Sequence, residues 1–483
     1  MHNKIITKSH VLSAALIMLL TAPVFAKDDH SKKGHHGNHL PNMFSSENEH
    51  GRDATYSTAG FIDLDNPFFK SLGTNGRSCA SCHIPSQGWT ITPAGVQKIF
   101  DETDGLDPLF RLVDGANSPI ADVTTLEKRR AAYSMLLEKG NIRVGIGIPA
   151  DAEFELVEAD DPYGYANENE LSLFRRPMPT TNLKFISAVM WEGRETTLMP
   201  NSGDCLYGTD TCFSPVAFDL KTQSNHATLG HAEALLDLTD EEREAIVAFE
   251  LSLFTAQIHD NNAGNLSAQK ALGGPKALKK QYYYFGINDT LVGDYQTGEP
   301  FNPAVMSLYD SWTRIKPNKS SNSAKNARTA IARGQALFNT KPIMISDVKG
   351  INDDLNINVL PGTCTTCHNT PNSGNHSTPM PLDIGISDES RRTPDMPLYT
   401  LKNKATNEII KTTDPGRALI TGKWKDVGRF KGPVLRSVAS RPPYFHDGSA
   451  ADLPAVVEFY NTRFNIGLTE AEKADLVAFL AAL

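Results

Sequence analysis

The sequence predicts a mainly α-helical protein with two similar domains in tandem, the first of them enlarged by insertions. Three observations support this prediction. A five-residue pattern, Cys-x-x-Cys-His, occurs at 79–83 and again at 364–368. Downstream of each copy, a capping box opens a segment with the apolar spacing of an amphipathic helix. A helical pattern at 330–338 also precedes the second copy.

The repeated pattern is an attachment motif for a c-type haem, in which two thiols form thioethers and the adjacent His supplies the proximal imidazole. Zinc or a redox disulfide is the alternative for any Cys-x-x-Cys pair. Two pairs, each followed directly by His, favour two covalently bound haems and two cytochrome c-like domains. The predicted haem-binding residues are Cys79, Cys82 and His83 in the first copy and Cys364, Cys367 and His368 in the second.

The N-terminus is typical of a secretory signal peptide. Lys4 and Lys8 precede an apolar stretch at 11–20, and 24–26 forms a small-residue cleavage site. We therefore expect residues 1–26 to be removed on export to the periplasm. Residues 27–50 are rich in His and Lys and predict a disordered arm. No later segment is long and apolar enough to predict a membrane span.

The net charge excludes some classes of partner, and the remaining two cysteines are interpreted from the cellular compartment. The formal net charge of −9 argues against nucleic acid and anionic membranes as partners. Cys205 and Cys212 lie close together in a polar stretch. In an oxidising compartment this spacing predicts a small disulfide loop.

An internal repeat fixes the expected domain boundaries. Thr239 with Glu242 and Thr469 with Glu472 form the two capping boxes, and a Lys-, Asn- and Ser-rich stretch lies at 316–323. We therefore expect an N-terminal domain at 51–320 and a C-terminal domain at 321–483. The region 91–176 is interpreted as helices and loops that cover one haem.

These features resemble the bacterial dihaem cytochrome c peroxidase family, including its MauG-like branch. Besides the two haem motifs, the similarity covers 179–194, which contains Trp191-Glu192-Gly193-Arg194, and 430–461. The resemblance implies that hydrogen peroxide reacts at the N-terminal haem on His83. The C-terminal haem on His368 would then exchange electrons or store oxidising equivalents.

The resemblance also implies that Tyr460 is the second axial ligand of the C-terminal haem. The family ligand lies fourteen residues after the His of an HDG motif, here His446, and Tyr at this point is typical of MauG-like members. In a helix starting after Asp452, Tyr460 shares a face with Leu453 and Val457. The alternative is a core tyrosine with a hydrogen-bonded hydroxyl.

Peroxide cleavage needs a distal group that takes up and returns a proton. The resemblance implies Gln223 and Glu233 for the distal pocket, but His231 is two residues away and equally suitable, so both assignments stay open. Trp191 would relay oxidising equivalents between the haems, or would simply be a core residue. Arg194 would anchor a propionate or the pocket.

Departures from the family pattern carry two further expectations. No His lies between His83 and His226, which implies a permanently open N-terminal haem, with Met178 as the alternative sixth ligand. The resemblance also implies calcium, but Pro177 and Arg441 stand where the family pattern has Asn and Thr.

The predicted function is a periplasmic dihaem peroxidase that receives electrons from a small cytochrome or copper protein. One alternative is a MauG-like enzyme that uses peroxide to oxidise side chains of a partner protein. Another is a non-catalytic dihaem electron carrier, which would need protein ligands on both faces of both irons.

Overall fold

The computed structural model describes residues 38–200, 202–316 and 323–483. The predicted signal peptide and residues 27–37 of the predicted arm lie outside them. The rest of that arm contains two strands, His39–Pro41 and Phe44–Asn48. In the described parts of the chain, no helix is long and apolar enough to cross a membrane.

The described residues form ten α-helices and fifteen strands. The helices are α1 (Pro93–Thr103), α2 (Leu126–Ala132), α3 (Ser134–Lys139), α4 (Val216–His231), α5 (Asp240–Ser252), α6 (Pro275–Leu278), α7 (Ala324–Thr340), α8 (Ala418–Thr421), α9 (Leu453–Arg463) and α10 (Glu470–Ala481). The strands are β1 (His39–Pro41), β2 (Phe44–Asn48), β3 (Gly51–Ser57), β4 (Phe61–Asp63), β5 (Ile142–Ile146), β6 (Phe154–Asp160), β7 (Leu171–Arg175), β8 (Asp204–Cys205), β9 (Cys212–Phe213), β10 (Leu253–Asp260), β11 (Gly264–Asn265), β12 (Ile343–Ser346), β13 (Val359–Gly362), β14 (Leu398–Asn403) and β15 (Ile409–Thr412).

The prediction of a mainly α-helical protein is wrong, because helices account for about 30% and strands for about 19%. The strands form a four-stranded sheet of order β11-β10-β3-β2, a three-stranded sheet of order β15-β14-β6 and four two-stranded sheets. These pairings are non-local: Thr55 of β3 lies opposite Thr255 of β10, and Leu156 of β6 opposite Leu401 of β14. A local apolar pattern does not reveal such partners.

The repeated helices are confirmed. Thr239 caps α5 and Thr469 caps α10, and each exchanges hydrogen bonds with the Glu three residues later. The helical pattern at 330–338 lies within α7, which crosses α10 closely. A Cβ atom on Gly334 would lie 1.9 Å from the carbonyl oxygen of Asp475, so the crossing requires a glycine.

Contacts across the predicted domain boundary hold the two haem motifs in a fixed relation. The β6–β14 pairing joins the region before α4 to the region before α9. The core under α7, α9 and α10 also includes Leu266, Tyr309 and Trp312, which precede residue 320 in the chain. The region 91–176 contains three helices and three strands, and its β7 leads directly into the segment that connects the two motifs.

Candidate haem sites

A mainly apolar cavity opens beside the second Cys-x-x-Cys-His motif. Cys364, Cys367 and His368 lie on its wall, and a short 3₁₀ turn, Cys364–Thr366, presents the two thiols. Aliphatic and aromatic side chains form most of the rest: Phe338, Ile343, Ile345, Leu382, Ile384, Ile386, Phe430, Leu435, Val456, Val457, Phe464, Ile466, Leu468, Leu476 and Leu480. Such a lining suits a large planar apolar cofactor.

His368 is prepared as a metal ligand. Its Nδ1 donates a hydrogen bond to the carbonyl oxygen of Gly374 at 2.6 Å, which leaves Nε2 as the nitrogen that can bind a metal. Burial lowers the pKa of His368 to about 4, so the imidazole is neutral and its lone pair is free. Burial also raises the pKa of the Cys364 and Cys367 thiols to about 12, a setting that suits thioethers better than thiolate ligands.

Tyr460 lines the same cavity. Asp452 caps α9 through the backbone N–H of Ala455, and Leu453 and Val457 bury the adjoining face of the helix. Burial raises the pKa of the Tyr460 hydroxyl. Tyr460 is half-buried, and within 38–200, 202–316 and 323–483 its hydroxyl forms no hydrogen bond. The cavity therefore contains an unpaired oxygen donor as well as His368.

One cation also faces this cavity. Lys431 lines it and donates from Nζ to the carbonyl oxygen of Ala188 at 2.6 Å. Burial lowers the pKa of Lys431 to about 8. Two thiols, an imidazole, an unpaired phenol and a buried ammonium around an apolar space fit a covalently bound haem with its propionate carboxylates.

The first motif is built on a similar 3₁₀ turn, Cys79–Ser81. Nδ1 of His83 donates to the carbonyl oxygen of Trp89 at 3.2 Å, and burial lowers the pKa of His83 to about 4. The Trp89 indole is fully buried and donates to Thr55 in β3 at 2.8 Å. Cys79 and Cys82 border two separate apolar clusters. These residues fit a second haem.

A buried carboxylate links the first motif to a histidine. Arg77, two residues before Cys79, forms an ion pair with Asp114, and Nδ1 of His231 donates a hydrogen bond to the same carboxylate. Burial alone would raise the pKa of Asp114, but Arg77 and His231 hold it below its ordinary value. The His231 side chain is 40% exposed. Its Nε2 is therefore the free nitrogen of an imidazole that a buried, ionised carboxylate orients.

The other predicted distal residues are placed differently. Glu233 is exposed, and its carboxylate accepts a hydrogen bond from Asn75 Nδ2 at 2.9 Å. Its φ of +53° turns the chain away from the end of α4. Gln223 is half-buried on α4, the helix that ends at His231. Of the two open assignments, His231 is the one with a positioned, buried partner.

Trp191 lies on the wall of the cavity beside the second motif. It donates from Nε1 to the carbonyl oxygen of Arg176 at 2.8 Å. Its ring centroid is 6.4 Å from that of His446, and His446 stacks on Phe430 at 4.2 Å. His446 is fully buried, and in the described part of the chain neither of its ring nitrogens has a hydrogen-bond partner.

A buried charge network holds this region together. Arg175 donates to Asp414 at 2.7 and 2.9 Å and to Glu192 at 2.7 Å. Arg194 donates to the other oxygen of Glu192 at 2.5 Å. Nε2 of His446 lies 3.8 Å from the Asp414 carboxylate. The network ties the Trp-Glu-Gly-Arg segment to the second half of the chain, and it occupies Arg194.

The guanidinium groups of Arg176 and Arg441 form no ion pair in the described residues, and Arg176 is buried. Arg176 donates to the carbonyl oxygens of Lys139 and Ile91 at 2.7 and 2.8 Å. Arg441 donates to main-chain carbonyls, including that of Arg436 at 2.9 Å. Burial lowers the pKa of Arg176 to about 9 and that of Arg441 to about 10. Such groups can receive carboxylates of a bound cofactor.

Sequence reasoning missed the partners of His231. Asp114 lies in a region without a recognisable motif, and only its fold contacts identify it. Arg77 carried a weak sequence signal, its closeness to Cys79. The predicted disulfide is confirmed, and it joins Cys205 of β8 to Cys212 of β9.

Curated relatives of the chain are cytochrome c peroxidases. The cytochrome-c peroxidase IdrP2 of Denitromonas iodatirespirans is 32% identical over 132 residues, which cover 25% of this chain and 36% of that protein. The cytochrome c551 peroxidase of Nitrosomonas europaea is 33% identical over 121 residues, 25% of this chain and 30% of that protein. Over about a quarter of its length, the chain is similar to bacterial cytochrome c peroxidases. This finding confirms the resemblance seen in the sequence.

The relationship to cytochrome c peroxidases is partial in length. IdrP1 of Pseudomonas sp. (strain SCT), at 28% identity over 192 residues, covers 35% of this chain and 44% of that protein. The chain thus spans between 30% and 44% of the length of these three relatives. A solved MauG-like protein associated with microbial copper homeostasis is 15% identical, and the match covers 87% of this chain and 88% of that one. Its TM-score of 0.32 is too low to establish a shared fold. No family model matches the chain.

Proposed function

We propose that this protein is a periplasmic dihaem c-type peroxidase that reduces hydrogen peroxide at the haem held by Cys79, Cys82 and His83. The observation that carries the proposal is the His231–Asp114–Arg77 chain beside that motif. When bound, a c-type haem supplies an iron that binds peroxide and receives its oxidising equivalents. The protein's own residues would leave the face opposite His83 accessible, transfer a peroxide proton, and bind the second haem at Cys364, Cys367 and His368.

His231 is the proton carrier in this proposal. With Nδ1–H fixed on Asp114, the free Nε2 takes a proton from one peroxide oxygen and returns it to the other, which leaves as water. Arg77 keeps Asp114 ionised, so the carboxylate orients the ring and stabilises the imidazolium that forms. Glu233 has no comparable support and lies on the exposed side of the turn.

The face of the first haem opposite His83 is proposed to be open. The segment that contains Met178 lies on the His83 side, because Thr180 N–H donates to the same Trp89 carbonyl that accepts from His83, at 3.1 Å. A sixth ligand must approach from the other face. This placement argues against Met178 as the alternative ligand.

The second site is proposed to be closed by Tyr460. A neutral imidazole and an unpaired phenol in one apolar cavity are suited to bind the same iron from two sides. An anionic oxygen ligand stabilises the ferric form, so this haem would store or relay oxidising equivalents. Trp191, on the wall of this cavity, would carry them between the sites. A non-catalytic carrier would need a second ligand at the first site as well.

Calcium is not part of the proposal. Arg176 precedes Pro177 in the chain and is repelled by Arg441, and burial together with this repulsion lowers the pKa of Arg176. A divalent cation there would face the same repulsion.

The electron donor is proposed to be a small cytochrome or copper protein. The second candidate, MauG-like oxidation of a partner protein, is favoured by the oxygen ligand at position 460.

The test is stopped-flow optical spectroscopy of the fully ferric holoprotein mixed with peroxide, without reductant. Rapid loss of the ferric Soret band is expected for the native protein, and His231→Gln should slow it about 10²-fold or more. Glu233→Gln is the matched comparison and should react at the native rate. Reaction only after one electron is added, or a rate loss in Glu233→Gln instead of His231→Gln, would contradict the proposal.

A further inference from the structure

Five tyrosines lie outside the residues assigned to the two haem sites. Tyr282, Tyr283 and Tyr284 follow each other in sequence, and the other two are Tyr207 and Tyr295. Tyr284 differs from the others in one contact. Its hydroxyl donates to the Asp294 carboxylate at 2.6 Å.

Asp294 is arranged as a proton acceptor. Three backbone N–H groups, those of Asn288, Gln296 and Thr297, donate to its carboxylate at 2.8 to 3.0 Å. Although burial alone would raise the pKa of Asp294, these bonds and Tyr284 hold it below its ordinary value. The phenol therefore points its proton at a carboxylate that is ionised and fixed in place.

The loop that contains this pair is fastened to the second haem motif. Thr290 donates to the carbonyl oxygen of Thr366 at 2.7 Å, and Asn288 donates to that of Asn369 at 3.1 Å. Thr366 and Asn369 flank Cys367 and His368. These bonds hold the loop between Tyr284 and Asp294 to the segment that would bind the haem.

A row of aromatic rings, the aromatic file, leads from this loop to the surface and consists of Phe285, Tyr295 and Tyr207. The ring of Phe285 lies 5.9 Å from that of Tyr295, and Tyr295 lies 5.9 Å from Tyr207. Tyr207 is 66% exposed, at the tip of the hairpin that the Cys205–Cys212 disulfide closes. The disulfide thus holds an exposed phenol at the end of the file.

We propose that Tyr284 and Asp294 form a proton-coupled redox site, and that Tyr295 and Tyr207 extend it to the surface for one-electron oxidation of phenolic substrates. The inference rests on the proposed peroxidase function, which supplies hydrogen peroxide as oxidant. Tyr284 gives one electron toward the haem at Cys364 and Cys367 and its O–H proton to Asp294, and becomes a neutral phenoxyl radical.

The remaining steps restore the site. Tyr295 gives one electron to the Tyr284 radical, which takes its proton back from Asp294, and Tyr295 releases its own O–H proton to water. Tyr207 then reduces Tyr295 by one electron, and Tyr295 regains a proton from water as Tyr207 releases one. A phenol in solution finally gives one electron to Tyr207, which regains its proton, and the proton that each phenol releases replaces one that peroxide consumes. Over two turns, one hydrogen peroxide and two phenols yield two waters and two phenoxyl radicals, so atoms and electrons balance.

The test is electron paramagnetic resonance of the ferric holoprotein frozen after mixing with peroxide. A tyrosyl radical is expected in the native protein and should be lost in Tyr284→Phe. Asp294→Asn should slow its formation about 10²-fold, because the amide does not accept the proton. The matched control is Tyr282→Phe, a neighbouring tyrosine that is 84% exposed, and it should keep the radical. All variants are compared at equal haem content and equal thermal stability.

Two further readouts follow the radical outward. A nitroso spin trap with peptide mass spectrometry should place the adduct on Tyr207, and Tyr295→Phe should remove this adduct while the radical at Tyr284 persists. With 2-methoxyphenol as the probe substrate, Tyr284→Phe and Tyr295→Phe should both fail to oxidise it. Consumption of peroxide without a radical that depends on Tyr284 would overturn this inference alone. No consumption of peroxide would overturn the proposed function and this inference together.

Discussion

Replacement of Asp114 by Asn tests whether the carboxylate orients His231 for proton transfer, because the substitution leaves the His231 imidazole itself unchanged. The Asp114 carboxylate is buried between Arg77 and His231, and the amide would leave the guanidinium without a counter-charge. Removal of one partner of a buried ion pair costs about 3–5 kcal/mol. Arg77 keeps hydrogen bonds to the carbonyl oxygens of Pro108 and Leu109, so we expect the lower end, about 3 kcal/mol.

The effect on stability has a defined pH dependence. Because the pKa of Asp114 is held below its ordinary value in the folded protein, its ionisation stabilises the fold above the unfolded pKa, about 4. This contribution is lost as the pH falls through the lower, folded-state pKa. Denaturant unfolding of the holoprotein at several pH values should therefore show that the difference between native protein and Asp114→Asn is largest near neutrality and shrinks in acid.

Peroxide kinetics complete the comparison. Asp114→Asn should slow the loss of the ferric Soret band by at least about tenfold, since the imidazole loses its anionic partner. His231→Gln keeps the Asp114–Arg77 pair and should lose the rate but little stability. A native peroxide rate in Asp114→Asn, together with the stability loss, would refute the positioning role and leave Asp114 a purely structural residue.

Three other outcomes are expected. Tyr460→Met should raise the reduction potential of the second haem in a redox titration, because a thioether favours the reduced iron; an unchanged potential would exclude Tyr460 as a ligand. Trp191→Phe should slow electron exchange between the haems while both optical spectra stay near native, and a change in stability alone would make Trp191 a packing residue. Chelation with EDTA should leave the spectra and the peroxide rate unchanged, because Arg176 and Arg441 supply the local positive charge; recovery of lost activity by added calcium would contradict this.

Local features were predictable from the sequence. The capping boxes at Thr239 and Thr469 and the start of α9 at Asp452 involve residues three positions apart, and all three form as expected. The disulfide Cys205–Cys212 is also a short-range contact. Such features depend on neighbours in the chain, which a single sequence contains.

Non-local features were not predictable in the same way. The strand β10 follows α5 without a break and is mostly buried, so its residues fit a helix or a strand equally well until β3 is known as its partner. Asp114 is joined to His231, 117 residues later, and no spacing rule connects them. The error in fold class and the missed carboxylate thus have one cause, contacts that close over long stretches of chain.

A buried charge network lies next to Trp191, the residue proposed to relay oxidising equivalents between the haems. Arg175 joins Glu192 to Asp414, and all three side chains are buried. Since loss of one partner costs about 3–5 kcal/mol, separation of the segments that contain them would be strongly unfavourable. The indole N–H of Trp191 donates to the carbonyl oxygen of Arg176, the residue that follows Arg175 of this network. Exchange between the two haems should therefore proceed through a fixed Trp191, without a domain movement, and its rate should depend on the residue at 191 and little on solvent viscosity.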